Sequence, residues 1–320
     1  MPPKPRRKTP RPLRSPHDEF FKSTFSKLVS ARDLLQGILP AELVRELALE
    51  ELTQESDVFV SEVLRESRTD ILFTCSLKNS QVLVAILLEH KSSQPSNPHL
   101  QILRYMLNIW ERNLAAKQPL QVVIPIVLHN GATPWRHAPF SSFFPDLPEI
   151  LKPFIPEIPI LLEDLAQTPE SELNANFHDP VGRLALGLMK FIYSTDDLDR
   201  LLNDFDPARS GREPEEIQRF LRSALVYILK SGETIELETF IENLQPNIKG
   251  VTMTIAETLH KKGLEEGLEK GREEGRVEGI EEGIHQQAVE SAKKMLAEGL
   301  SFDLIAKFTK LSPEEISRLR

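Results

Sequence analysis

A chain of 320 residues is long enough for about two domains and a sizeable core, and its 40% hydrophobic and 27% charged residues are ordinary for a globular protein. No apolar run approaches about 18 residues, so no membrane span is expected, and a single cysteine, Cys75, excludes a disulfide framework and fits a reducing, cytoplasmic home. A net charge of −9 is not the basic excess of a dedicated sequence-independent DNA binder, which leaves a local basic groove as the route to nucleic acid.

Residues 1–14 are rich in proline and carry Lys4, Arg6, Arg7, Lys8, Arg11 and Arg14. By composition this is a disordered, solubilising tail, with contact to phosphate backbones as the alternative. No apolar core follows the basic residues, so no secretory signal is expected. Ser15-Pro16-His17-Asp18 opens a helix, with Ser15 as N-cap, Pro16 at the first position and Asp18 completing a capping box. Phe20, Phe21, Thr24, Phe25, Leu28 and Val29 recur at helical spacing as its buried stripe. Short helices follow over 31–39 and 41–52, broken at Gly37 and Pro40, and 58–60 reads as an edge strand.

Residues 68–91 form the stretch around which the chain is organised. Two strand-length apolar runs flank the polar turn Lys78-Asn79-Ser80-Gln81, which is the pattern of a β-hairpin. Pairing Leu77 with Val82 and counting outward sets Asp70 opposite Glu89, and directly opposed residues have Cβ atoms roughly 5 Å apart. Side chains alternate along a strand, so Lys91 shares the face of Glu89 and His90 points away. Two carboxylates that close repel unless a proton or cation lies between them, so the set asks for a divalent metal, with Lys91 to hold water or anionic charge.

These residues resemble the PD-(D/E)xK nuclease fold and, more closely, the recombination-promoting nuclease or YhgA-like transposase family. The resemblance rests on His17-Asp18-Glu19-Phe20-Phe21-Lys22, Arg68-Thr69-Asp70-Ile71-Leu72-Phe73, Leu88-Glu89-His90-Lys91-Ser92-Ser93, Arg104-Tyr105, and Pro125 to Gly131 with Pro134-Trp135, in order over the first half of the chain. Glutamine often stands in the family where this chain has Lys91, and the proline before Asp70 is absent. The resemblance implies an α/β fold with a mixed sheet, and a restriction-endonuclease-like core over 15–150. It also implies Mg²⁺-dependent hydrolysis of DNA phosphodiesters, with Mn²⁺ as a substitute. Asp70, Glu89 and Lys91 would be catalytic and Asp70 and Glu89 the metal ligands. Relatives that take an acidic ligand from the first helix nominate Asp18 or Glu19, although the capping box already explains Asp18. On the helix expected from His99 to Leu114, Gln101 or Tyr105 would orient water, and Arg104 would either meet a phosphate or pair with Glu111 or Glu89.

Residues 122–128 make the next strand, expected parallel to the Val82 strand through a right-handed crossover. His129-Asn130-Gly131 ends it in a turn, with His129 read as a surface or capping residue, and Pro134-Trp135, Phe140, Phe143 and Phe144 cover the core. Residues 151–256 read as a helical layer without a second site: a short strand at 160–162, then helices over 181–193, 213–230 and 236–244.

From Gly263 to Gly283 a glycine stands at every fourth position, so 257–290 is either a helix that packs closely across its glycines, with self-association, or an extended charged tether. Residues 291–320 read as a small module resembling a helix-turn-helix, whose last helix begins with Glu314 and Glu315, which argues against tight DNA contact. Two other functional readings stand beside the nuclease. One is a catalytically degenerate, self-associating scaffold; the other takes Asp70, Glu89 and Lys91 as a structural salt-bridge cluster.

Overall fold

A computed structural model describes residues 15–55, 71–78, 83–93, 97–135, 138–231 and 242–319. The chain divides into two compact units, Met1–Met253 and Thr254–Arg320. The first unit is an α/β structure around a mixed sheet that has five strands among the described residues: β1 (Thr53–Gln54), β2 (Ile71–Ser76), β3 (Leu83–Lys91), β4 (Val122–His129) and β5 (Leu161–Asp164), in that spatial order. β1, β2 and β3 are antiparallel neighbours, while β3, β4 and β5 are parallel. In the hairpin Ile71 faces Leu88, Thr74 faces Ala85 and Ser76 faces Leu83, the register that pairing Leu77 with Val82 gives.

Before the sheet come α1 (Pro16–Phe25), α2 (Leu28–Ile38) and α3 (Ala41–Glu46). Ser15 is the N-cap of α1 and Pro16 its first residue, but the Ser15 side chain makes no capping bond, so the expected capping box with Asp18 is not formed. Phe20, Phe21, Thr24 and Phe25 are buried as expected. Leu28 and Val29 are not, because α1 stops at Phe25 and the chain turns through Ser26 and Lys27 before α2 begins. Gly37 lies inside α2 instead of ending it, and the second helix expected over 41–52 stops at Glu46, followed by a 3-10 turn at Leu49–Glu51. Thr53–Gln54 forms the edge strand; residues 58–60 lie outside the described residues.

α4 (Pro98–Ala115) starts on a proline at its first position and covers one face of the sheet. Its Ile102, Tyr105 and Ile109 pack on Ala85, Val123 and Val127, with Trp135 joining them. Phe140 is buried, whereas Phe143 and Phe144 are exposed, so only the first of the three expected covering phenylalanines closes the core.

Among the described residues the α-helices of the first unit that follow β4 are α5 (Glu170–Asn176), α6 (Pro180–Lys190), α7 (Thr195–Asp204), α8 (Pro214–Ser231) and the opening turns of a long helix α9 (Pro246–Ala297). α1 packs on α8, α6 and β3, so this layer covers the other face. Asp179 caps α6, accepting from Gly182 N at 3.0 Å, and the same carboxylate accepts from Ser30 Oγ at 2.6 Å and Arg212 Nη2 at 3.0 Å, which ties α2, α6 and the approach to α8 together. Residues 236–241 of the helix expected over 236–244 lie outside the described residues.

In the second unit the last turns of α9 pack with α10 (Phe302–Thr309) and α11 (Pro313–Arg318) around Ala292, Ile305, Leu311 and Ile316. Gly299, at φ 81°, makes the left-handed turn that ends α9. Ser312 and Glu315 form a capping box at the start of α11. Among the described residues no helix is long and apolar enough to cross a membrane.

Candidate active site

The parallel strands β3, β4 and β5 end side by side. Lys91 is the register partner of His129, and His129 of Asp164, so three polar residues form a row across the carboxyl ends of the strands. In an open α/β sheet that end is where ligands bind. Polar residues on both faces of this end are buried, and each face holds its own histidine.

On the α1 face is His90, only 1% exposed. Its Nδ1 donates to Asp18 Oδ1 at 3.1 Å and its Nε2 to Asn130 Oδ1 at 2.9 Å. Both ring nitrogens are thus engaged by oxygen atoms from other elements. Phe21 stacks on the ring at 5.0 Å. Asn130 turns its amide nitrogen toward His17 Nδ1 at 3.2 Å, Tyr227 Oη at 3.5 Å and the Met189 carbonyl at 3.5 Å. The Tyr227 hydroxyl donates to His17 Nδ1 at 2.9 Å, so His17 is held as an acceptor. Burial lowers the His17 pKa and the charge on His90 lowers it further, with Asp18 opposing. Burial raises that of Tyr227. One chain of polar contacts therefore links α1, β3, the end of β4 and α8.

On the α4 face His129 Nδ1 donates to Asp164 Oδ1 at 2.9 Å. The same carboxylate accepts from Trp135 N and Gln167 Nε2, each at 2.7 Å, and from Ala166 N at 3.1 Å. Burial pushes the Asp164 pKa up, but the bonds from Gln167, His129 and Trp135 outweigh it and hold the carboxyl below its ordinary value. A Cβ on Gly131 would lie 2.5 Å from His129 Nε2 and 2.9 Å from the Ser92 carbonyl oxygen, so no side chain fits there. His129 is 1% exposed, which overturns the expectation of a surface or capping histidine: its bond to Asp164 brings it inside.

The sequence-derived site residues fall as follows. Asp70 lies outside the described residues, as does the side chain of Glu89, whose backbone pairs with Val127. Lys91 ends β3, half-buried, on the face opposite to His90. Asp18 is bound by His90 and does not serve Ser15 as a capping partner. Glu19 is exposed. Gln101 Nε2 donates to Tyr105 Oη at 2.7 Å, and the body of Tyr105 is core against Ala85 and Val123. Arg104 is exposed and makes no ion pair with Glu111.

Among the described residues no three of His, Cys, Asp or Glu are grouped to hold a metal ion. His90, Asn130, Asp164 and Tyr227 were not singled out from the sequence. The one available signal was a polar residue at the end of an otherwise apolar strand, which His90, Asn130 and Asp164 share.

A family model described as "Putative transposase, YhgA-like" matches residues 15–213, and one described as "Rpn/YhgA-like nuclease family, C-terminal HTH domain" matches residues 285–320. The chain is 29% identical to Recombination-promoting nuclease RpnC of Escherichia coli K12 over 79% of its own length and 84% of that protein. It is 27% identical to the Inactive recombination-promoting nuclease-like protein RpnE, over 94% and 96% of the two chains, and 26% identical to Recombination-promoting nuclease RpnA, over 95% and 96%, both of the same strain. No solved structure matches the chain.

Proposed function

The chain belongs to the YhgA-like transposase family, in which relatives are named recombination-promoting nucleases, and from that premise we propose that it is a metal-dependent endonuclease hydrolysing phosphodiester bonds in DNA. The fold we assign to it is the PD-(D/E)xK core. The observation that supports this reading is the β2–β3 register: the pairs from Ile71–Leu88 to Ser76–Leu83 are those of the register in which Asp70 is expected opposite Glu89.

Two carboxylates and a neighbouring lysine offer hard oxygen ligands and no soft ones, a donor set that fits Mg²⁺, or Mn²⁺ in its place. In this proposal Asp70 and Glu89 hold the ion, which when bound supplies charge to the pentavalent transition state and lowers the pKa of its water. Lys91 sets its ammonium beside the attacked phosphate, to position water or offset developing negative charge. The His90 network holds the strand that carries Glu89 and Lys91, with α1 and α8 as its anchor, so Asp18 acts by position and not as a ligand.

DNA is the proposed partner, with the C-terminal module as a second place of contact, where Glu315 is bound to Ser312. Self-association through 257–290 and a cytoplasmic location complete the proposal.

A second reading, a family member without turnover that acts as a scaffold, is favoured by the likeness to RpnE, which is named inactive. Supercoiled plasmid separates the two. The parent should nick it with Mg²⁺ or Mn²⁺ and not with chelator, and Asp70→Ala, Glu89→Ala and Lys91→Ala should each abolish nicking with the far-UV circular dichroism unchanged. Three variants that cut like the parent would place the site elsewhere. A parent that never cuts leaves the scaffold.

A further inference from the structure

α1 and α8 meet along an aromatic seam in which Phe20 stacks on Tyr227 at 4.5 Å and on Phe220 at 6.1 Å. Above the seam Ser23 and Ser223 join hydroxyls at 2.8 Å. Two cavities open there. One of about 260 Å³ is lined by Pro16, Glu19 and Arg222, the other of about 230 Å³ by Lys27, Ile217 and Glu216, and Arg219 and Ser223 line both, so the two continue as one groove.

Charge distinguishes this groove from the rest of an acidic chain. Elsewhere Arg200 is neutralised by Glu170 and Arg212 by Asp179. Lys27, Arg219 and Arg222 are exposed, and among the described residues none of the three makes an ion pair. Of the two lining carboxylates, Glu216 stands 4.0 Å from Arg212 Nε and is already engaged, which leaves Glu19 against three cations. The groove's Pro16 is also two residues from Arg14, the last of six cations in residues 1–14.

We propose that the α1–α8 groove is a docking site for the phosphate backbone of nucleic acid, with Lys27, Arg219 and Arg222 as its contacts. A run of unneutralised cations continuing covalently into a basic segment suits an extended polyanion and not a small phosphate ester. The groove lies on the α1 side of the sheet, away from Lys91, so its contacts orient a strand and carry no chemistry. The inference rests on the nuclease reading only for which polyanion binds.

The test is fluorescence anisotropy of a labelled duplex with the full chain in chelator, titrated with salt. Each phosphate contact contributes about 0.9 to the slope of log K against log salt, so Arg219→Ala with Arg222→Ala should lower it by about two. Arg219→Glu with Arg222→Glu should remove most binding at low salt. Arg45→Ala, exposed and paired with Glu42 outside the groove, should leave the slope alone. Parent-like slope and affinity in both double variants would overturn the proposal, as would a parent that binds anionic phospholipid vesicles and no duplex. The two readings fail separately: a parent that never cuts yet loses slope on Arg219 and Arg222 removal keeps the groove and loses the nuclease, and the reverse pattern does the opposite.

Discussion

The carboxyl end of the sheet and the glycine repeat of α9 are both polar in sequence and are held in opposite ways. At the sheet's end His90, His129, Asn130 and Asp164 are 1–7% exposed, and their partners come from residues as distant as Asp18 and Tyr227. In α9 a Cβ on Gly267, Gly271, Gly275, Gly279 or Gly283 would meet nothing within 4 Å, and Leu268, Val277, Ile280 and Ile284 are 43–66% exposed. The first region is fixed by side chains that have lost water and must keep their partners; the second is fixed by backbone bonds along one helix. Removing one side chain should therefore be costly in the first, and adding one should cost nothing locally in the second.

The sharpest break of that contrast is at Asp164. Asp164→Ala leaves the His129 N–H and the Trp135 backbone N–H buried without an acceptor, so urea unfolding should show a loss of roughly 3 kcal/mol. Asp164→Asn, which keeps one acceptor oxygen, should lose less. Because the folded pKa is depressed, the stability this carboxylate contributes is complete above its unfolded value of about 3.9 and disappears as pH falls through the folded value. A loss under about 1 kcal/mol for the alanine variant would mean that water replaces the carboxylate and that the site is not closed.

A smaller effect is expected on the α1 face, where the network has more members to share a loss. Asn130→Ala should cost about 2 kcal/mol, and Tyr227→Phe about 1. His17 adds a pH dependence. Its folded pKa lies below the ordinary 6.5, so as pH falls below that value the unfolded chain takes up the proton first. Stability is complete above about 6.5 and declines from there down to the folded pKa, where the decline ends. His17→Asn should flatten the stability curve in that window, and an unchanged curve would show that another group titrates there.

Much of the sheet was legible in the sequence, because a turn of known length and a period of two fix a register: pairing Leu77 with Val82 gave each described β2–β3 pair, and the strand from Val122 is parallel to β3 as expected. What periodicity cannot supply is the partner of a buried polar side chain. Ser15 and Asp18 match a capping box by spacing, yet Asp18 is taken by His90, 72 residues away, because a buried imidazole without acceptors costs more than an uncapped helix end. His129 was misplaced for the same reason, its partner Asp164 lying 35 residues on, beyond a proline-rich connector. α7 stands between the helices expected over 181–193 and 213–230, where none was expected, although Leu198 and Leu202 are at helical spacing and Asp196 and Asp197 suit a first turn. Asp70 and Glu89 are decided by the plasmid experiment.

The smallest effect, and the one that separates the readings of the repeat, comes from filling the glycines. Each interior glycine costs a helix about 1 kcal/mol relative to alanine, and the paired charges spaced four apart return only tenths. Gly271→Ala, Gly275→Ala and Gly279→Ala together meet no neighbour in the chain, so dilute protein should gain helical ellipticity and melt later. A four-residue spacing turns about 40° per step round the helix, so two copies approaching across the glycines must wind about each other. Alanines on that path would hold the backbones apart. If self-association runs through the glycines, the same triple variant should show a lower mass by multi-angle light scattering at high concentration, as should a chain ended after Glu257. Gain of helix with loss of mass identifies a glycine-packed association. Equal mass for parent, triple variant and truncated chain would mean that the helix of the repeat stands alone, and the association would be abandoned.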